Sequence, residues 1–273
     1  LFERLRAFVA AWRDYPLEPG ALIGGRYEVI SRLGLGSYGL TYRCLDRESK
    51  REVAVKQAKP SKKDIGYTML LRERDVLLRL DHPRIPSCRD FIEDKGSVWL
   101  VTDYIYGSTF EQLIFDEGSV FGEKETLGFI LRLMDVVGYI HEKGIAHLDL
   151  RIPNIIAKGE ELYVIDFGLA RPFVEASDQA DQNFLRDPDP DGLPARMPAS
   201  ISSDLHDIGH LMLFMLYSGF SPQRGQQERS WTEELPLSPA MRGLLLRLLD
   251  HPESYQDTGE LIDELRTVLT QVS

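Results

Sequence analysis

Cysteine is nearly absent from this chain. Cys44 and Cys88 are the only two among 273 residues. Their spacing makes neither a CxxC pair nor a metal-ligand pattern, so a cysteine-held metal is excluded and a reducing, cytoplasmic setting is expected. No apolar run reaches the length that crosses a bilayer, so no membrane span is expected. Positive charge is in short supply, with 32 Lys and Arg against 43 Asp and Glu and a net charge of -11. That balance argues against a general binder of nucleic acid or anionic membrane. Neither Thr nor Tyr occurs between Asp166 and Asp204. The first residue is Leu, which reads as a start that is processed or lies upstream.

What remains is an ordinary globular composition, 43% hydrophobic and 27% charged, long enough for one large domain or two lobes with sizeable cores. Leu1, Phe2, Leu5, Phe8, Val9 and Trp12 recur at helical spacing before LEPG breaks the pattern. We read residues 1–24 as an amphipathic helical extension that docks on the following domain, on a partner or, through Arg4, Arg6 and Arg13, on a membrane surface. Residues 26–100 are β-rich: RYEVISRL, LTYRCLD, EVAVKQA, CRDFIE and SVWLVTD, with one helical pattern from about 64 to 80. From 110 onward helices dominate (EQLIF, 123–142, 204–218, 238–249, 258–270), around a β island at NIIAKGEELYVID. The segment Glu175–Ser203, rich in Asp and Pro, has no period and reads as a solvated loop. Its acidic part hints at a basic substrate face or at self-masking. The expected organisation is therefore α+β, a sheet lobe over 25–103 and a helical lobe over 104–273.

Three stretches carry chemistry. In HLDLRIPNII, Asp149 and Asn154 lie five apart with Pro153 between them, which disfavours one helical face and suits a rigid loop. Asp166 follows the apolar run LYVI, where a buried strand would end. Two acids and an amide converging in this way suit Mg²⁺ bound with polyphosphate, because that ion prefers oxygen ligands. In LGLGSYGLTY, Gly34, Gly36 and Gly39 form GxGxxG between two strand-like segments, which fits a hairpin lid over phosphates better than a strand-to-helix turn. Lys56 closes EVAVK, and a Lys at the end of a buried strand needs a partner. Glu73, one turn before Leu77 on the following helix, is the expected one.

In this order, GLGSYG, VAVK, Glu73 ahead of LDHPRIP, HLDLRIPN, DFG and SDLHDIG resemble the protein-kinase superfamily over residues 26–270. The set is most similar to the short, soluble, eukaryotic-like Ser/Thr kinases of Gram-positive bacteria, the YbdM-like group. The resemblance implies a bilobal fold, with a small antiparallel sheet lobe carrying one key helix and a larger, mainly helical lobe. It also implies ATP and Mg²⁺ as cofactors and a Ser/Thr protein as substrate. Asp149 would orient the attacking hydroxyl, with Arg151 near the transferred phosphoryl and Lys56, held by Glu73, on the nucleotide phosphates. Asn154 and Asp166 would hold Mg²⁺. Leu33, Gly34, Gly36, Ser37, Gly39, Thr41, Ala54, Thr102, Asp103, Tyr104 and Ile156 would surround the nucleotide, Thr102 as gatekeeper. Leu77, His147 and Phe167 would form the regulatory spine, anchored by Asp204.

The departures from the family pattern are as telling. Leu148 stands where the family has an Arg that grips a phosphorylated loop, and the loop in question lacks Thr and Tyr. Together these imply a kinase not switched on by loop phosphorylation. No clear APE precedes SDLHDIG, and Tyr255 stands where its Arg partner is expected, so a remodelled helical lobe is anticipated. Thr41 replaces an adenine-facing Val. Two other classes fit part of the pattern: an ATP-binding pseudokinase scaffold, and a small-molecule kinase sharing the His-x-Asp, Asn and Asp skeleton.

Overall fold

The computed structural model describes residues 15–36, 39–59, 63–94, 97–173, 198–221 and 229–272. The expected helix over 1–15 and most of the 175–203 loop lie outside the described residues. The chain divides into two compact units, 1–106 with 167–169, and 107–166 with 170–273. Among the described residues no helix is long and apolar enough to cross a membrane.

The first unit is a six-stranded antiparallel sheet with one helix. Its strands are β1 (Leu22–Ile23), β2 (Tyr27–Leu35), β3 (Gly39–Asp46), β4 (Glu52–Ala58), β5 (Cys88–Asp94) and β6 (Ser97–Asp103), in the order β1-β2-β3-β4-β6-β5. Period-two alternation decides its two faces. One face buries Tyr27, Val29, Leu40, Tyr42, Cys44, Val53, Val55 and Val101, and the segment Leu17–Ile23 seals it with Leu17, Ala21 and Ile23. The Leu17 amide donates to the Tyr42 hydroxyl at 3.1 Å. The opposite face carries the register pairs Thr41↔Lys56 and Arg43↔Ala54, continued on β6 by Lys56↔Leu100 and Ala54↔Thr102. The helix α1 (Lys63–Leu77) ends three residues before the expected limit, because Leu78–Leu80 continue as a turn ahead of Pro83.

The second unit is mostly helical. It contains α2 (Phe110–Phe115), α3 (Glu123–Glu142), α4 (Ile201–Tyr217), α5 (Trp231–Glu234), α6 (Pro239–Asp250) and α7 (Thr258–Gln271). Side-chain caps set most of the starts. Thr109 and Gln112 form a capping box on α2, Ser238 caps α6 ahead of Pro239, and Asp257 caps α7. Ser200 caps α4, so that helix begins three residues earlier than the apolar period indicates and Asp204 falls in its first turn. Two small sheets complete the unit: β7 (Ser108–Thr109), β9 (Ile155–Lys158) and β10 (Glu161–Val164), and β8 (Ile145–Ala146) with β11 (Arg171–Pro172).

The corner at Tyr255, where the family pattern leads one to expect an Arg, is organised by a cation from α6. Arg247 lies 3.8 Å from the centroid of the Tyr255 ring and forms ion pairs with Glu260 at 2.6 Å and Glu264 at 2.7 Å. The Tyr255 hydroxyl donates to Glu264 at 3.0 Å. A single α6 cation thus ties α6 to α7 through one ring and two carboxylates.

Gly107 opens the second unit where the chain passes against β9. Its φ is +150°, and an added Cβ would lie 2.3 Å from the Ala157 carbonyl oxygen and 2.7 Å from Ile156 Cγ2. Gly107→Ala should therefore cost more than about 2 kcal/mol of stability, combining an unfavourable backbone region with a backbone clash. Urea unfolding of the variant checks this; an unchanged midpoint would contradict it.

Candidate active site

The first unit brings Lys56 and Glu73 together. Lys56 Nζ lies 2.7 Å from Glu73 Oε2 and 2.8 Å from Oε1. Glu73 is 4% exposed, so its charge is compensated by the ammonium and not by solvent. Thr41, Ala54, Lys56 and Thr102 share one sheet face, as their registers require. Gly34, Gly36 and Gly39 sit in the β2–β3 hairpin, closed by the Gly36 amide on the Gly39 carbonyl at 2.9 Å. Gly39 is demanded by the fold, since a Cβ there would meet the Gln57 carbonyl oxygen at 2.7 Å. Gly34 is not: a Cβ there would meet nothing within 4 Å. A glycine the chain's own packing does not require fits a backbone kept bare for a ligand. Leu33 is exposed at the hairpin's bulge. Ser37 lies outside the described residues.

The second unit brings Asp149, Arg151 and Asn154 together. A 3₁₀ turn at Ile152–Asn154, with Pro153 inside it, folds the chain back on itself. Asn154 Nδ2 then donates to the Asp149 carbonyl at 2.9 Å and to its carboxylate Oδ2 at 2.7 Å. Arg151 Nε lies 2.6 Å from Asp149 Oδ1, and its Nη2 donates to Oδ2 at 3.0 Å. The guanidinium therefore grips the proposed proton acceptor directly. Asn154 uses only its NH₂ in these bonds, which leaves its amide oxygen available to a hard cation. Asp166 ends the β10 run at φ +65°, a conformation rarely adopted by residues other than glycine. The donor set, an amide oxygen and a carboxylate, fits Mg²⁺ by its chemistry. Ile156 is buried on β9, opposite Thr109 and Tyr163.

Asp204 organises this loop from below. Fully buried on α4, it accepts the His147 amide at 2.8 Å on Oδ2 and the Leu148 amide at 2.7 Å on Oδ1. Oδ2 also meets His141 Nε2 at 2.8 Å, while His141 Nδ1 meets the Thr258 hydroxyl at 2.7 Å. Leu148, at φ +62°, is held in a conformation that a β-region residue would not adopt unaided. His147 Nε2 reaches the Ile165 carbonyl at 3.2 Å, and burial lowers the pKa of its imidazole, favouring the neutral form. Leu77 and Phe167, the other expected spine members, are both buried.

The protein kinase domain family matches residues 27–253, most of the chain. The chain belongs to the protein kinase family. This kinase is 31% identical over 262 residues to the probable serine/threonine-protein kinase YbdM of Bacillus subtilis (strain 168), an alignment covering 95% of this chain and 96% of that protein. Calcium/calmodulin-dependent protein kinase type IV of Mus musculus is 30% identical over 153 residues, 55% of this chain and 32% of that one. The crystal structure of the PknI kinase domain of Mycobacterium tuberculosis matches with a TM-score of 0.69 at 21% identity, covering 93% of this chain and 99% of that chain. That likeness shows a shared fold: the antiparallel sheet unit and the helical unit are those of a protein kinase.

Several residues of this kinase's site escaped the motif reading. His141 and Thr258 were legible only as helix positions, since nothing in their spacing announces a relay from the Thr258 hydroxyl through His141 to a carboxylate 63 residues from His141 in sequence. Asp207 had a usable signal: it lies three after Asp204, on the same helical side. Its Oδ2 accepts the Leu150 amide at 3.2 Å, and with Leu150, Arg151, Ile152, His210, Leu211 and Phe214 it lines a pocket of about 240 Å³. Burial first, and then the charges of Asp204 and Asp149, push its carboxyl up to about 7, against the Leu150 amide and Arg151.

A carboxyl raised from 3.8 to about 7 binds its proton more tightly in the folded chain than in the unfolded one. The stability it contributes is therefore complete at low pH, is lost as pH rises through about 7, and is flat above that. Asp207→Asn copies the protonated form and keeps the acceptor for Leu150. Its stability margin over wild type should grow between pH 4 and 7 to reach about 2–4 kcal/mol. Urea unfolding at pH 5 and pH 8 reads this directly, and an equal margin at both would contradict it.

Proposed function

We propose that this kinase transfers the γ-phosphoryl group of ATP to Ser or Thr hydroxyls of a protein, with Mg²⁺ as the accompanying cation. The observation that carries the reading is the Asp149 cluster, in which Asn154 and Arg151 hold one carboxylate in a fixed orientation. Family membership supports assigning this cluster and the Lys56–Glu73 pair to one nucleotide, and the name of the B. subtilis relative supports Ser/Thr as the acceptor.

In this mechanism Lys56, held by Glu73, neutralises phosphate oxygens. Asn154 and Asp166 would hold Mg²⁺, which would supply charge neutralisation to the phosphates when bound. Asp149 orients the acceptor hydroxyl and takes its proton at a carboxylate oxygen, for which Arg151 must release or share that oxygen. Little covalent help is asked of the protein, so positioning and charge carry the rate. Leu148 supplies no cation with which to grip a phosphate, and the hydroxyls of 167–203 are those of Ser177, Ser200, Ser202 and Ser203, with no Thr or Tyr. We therefore assign the enzyme an activity that does not wait on phosphorylation of that segment.

Radiolabelled ATP with Mg²⁺, a generic basic protein and a panel of small alcohols tests the reading. Label should pass to protein, vanish with EDTA and fall by at least about 100-fold in Asp149→Asn, while ATP binding persists. Label confined to a small alcohol would overturn the acceptor assignment, and binding without transfer would make the chain a scaffold. Pre-treatment with a protein phosphatase should leave the rate within about twofold, less than about 0.5 kcal/mol of barrier; a collapse of activity would show that a phosphate is needed after all.

A further inference from the structure

The segment that leaves β6, Asp103 to Tyr106, is fastened to the first unit on two sides. On one side Arg89 makes a bidentate pair with the Asp103 carboxylate, at 2.6 and 3.0 Å. The Ser87 amide donates to that carboxylate at 3.0 Å, and the Asp103 amide donates back to the Ser87 carbonyl at 3.2 Å. The Asp103 N–H is therefore already used. What this residue can still offer to a base is its carbonyl oxygen, an acceptor for an exocyclic amino group.

On the other side stands a cluster built around Arg43. Its guanidinium forms a bidentate pair with Glu52, both bonds 2.8 Å. It also lies 5.0 Å from the centroid of the Tyr104 ring and 5.8 Å from that of Tyr106. The two rings meet edge to face at 4.8 Å, and the Tyr106 hydroxyl donates to Glu52 at 2.7 Å. The hydrogen bonds from Arg43 and Tyr106 hold the Glu52 carboxyl below its usual range. Arg43 shares its sheet face with Thr41, Ala54 and Thr102, the face that bears Lys56. One cation thus joins β3, the start of β4 and two rings of the exit segment, in a geometry that only a planar, five-donor group can satisfy.

We propose that Arg43 is a positioning residue for base recognition. By holding Glu52, Tyr104 and Tyr106 together it fixes the backbone of Asp103 to Tyr106, and so the direction in which the Asp103 carbonyl points. This rests on the reading that the nucleotide base meets this segment. Arg43 acts through Tyr104 and Tyr106 and touches neither phosphate nor acceptor. Its loss should be felt as a loss of discrimination between a base that carries an amino group and one that carries a carbonyl there, and not as a loss of chemistry.

Calorimetric titration of the full chain with MgATP and with the magnesium salt of inosine triphosphate separates the possibilities. Wild type should prefer ATP. Arg43→Ala should weaken ATP by about fivefold, the scale of one exposed cation–π contact, and leave inosine triphosphate within about twofold. The KM for ATP should rise in parallel while kcat is kept. Tyr106→Phe, which keeps the ring and removes only the bond to Glu52, should move the ratio in the same direction by about twofold. Unchanged ATP affinity in Arg43→Ala, or equal weakening of both nucleotides, would overturn the proposal. Wild type binding neither nucleotide would instead overturn the nucleotide assignment beneath it.

Discussion

The turn that begins the HLDLRIPN loop hangs from one buried carboxylate. Asp204 is wholly out of solvent and takes hydrogen bonds from two consecutive amides of the HLD stretch and from His141. Such a group is worth little to stability in isolation, because desolvation offsets much of what its partners return. Its value is geometric. The two amides it accepts, of His147 and Leu148, lead directly into the bend at Leu148, whose φ is +62°, a conformation that costs about 1–3 kcal/mol unless its surroundings impose it. With that bend in place the next residue, Asp149, emerges toward Asn154 and Arg151. Without it the loop has no reason to turn.

The first unit solves a different problem, that of a lysine inside a strand whose neighbours on either side are buried. Lys56 faces the opposite way from Val55 and Gln57 and finds Glu73 on α1. The pair explains why the helix presents a carboxylate on an otherwise apolar side, next to Leu70, Val76 and Leu77. Burial of the Glu73 charge is tolerable only because the half-buried Lys56 ammonium neutralises it.

Much of this was legible in the sequence because it depends on local rules. Strand-rich segments bounded by turn residues placed β4 and β6 to the residue, and the apolar period placed α3 over 123–142. The motif order was enough to name Lys56, Glu73, Asp149, Asn154 and Asp166 as candidates before any coordinate was known. What stayed hidden depends on contacts between distant residues or on backbone chemistry with no period. The cap at Ser200 started α4 early because a hydroxyl, not a hydrophobic residue, sets the boundary. The two-residue strands β1, β7, β8 and β11 are too short to show an alternation. Arg247 at Tyr255 could be anticipated only as a gap in the family pattern, since the partners that fill it lie 8 to 17 residues away on other elements. The Arg43 cluster was missed for the same reason: each member looks like an ordinary surface residue until the strands are set in register.

The segment that seals the first sheet bears on where this domain ends. The family pattern begins at residue 27 and closes at 253, yet Leu17, Ala21 and Ile23 cover the apolar face that Tyr42 and Val55 present. At the other limit, Thr258 supplies the hydroxyl that meets His141 behind Asp204. A fragment trimmed to the conserved span would expose an aromatic and aliphatic surface of the kind that drives aggregation. It would also strip the imidazole of its second hydrogen bond, the outermost of three that lead through Asp204 to the His147–Leu148 backbone. For anyone cutting this kinase for expression, fusion or crystallisation, the foldable unit is wider than the recognisable one, and it is wider at both ends.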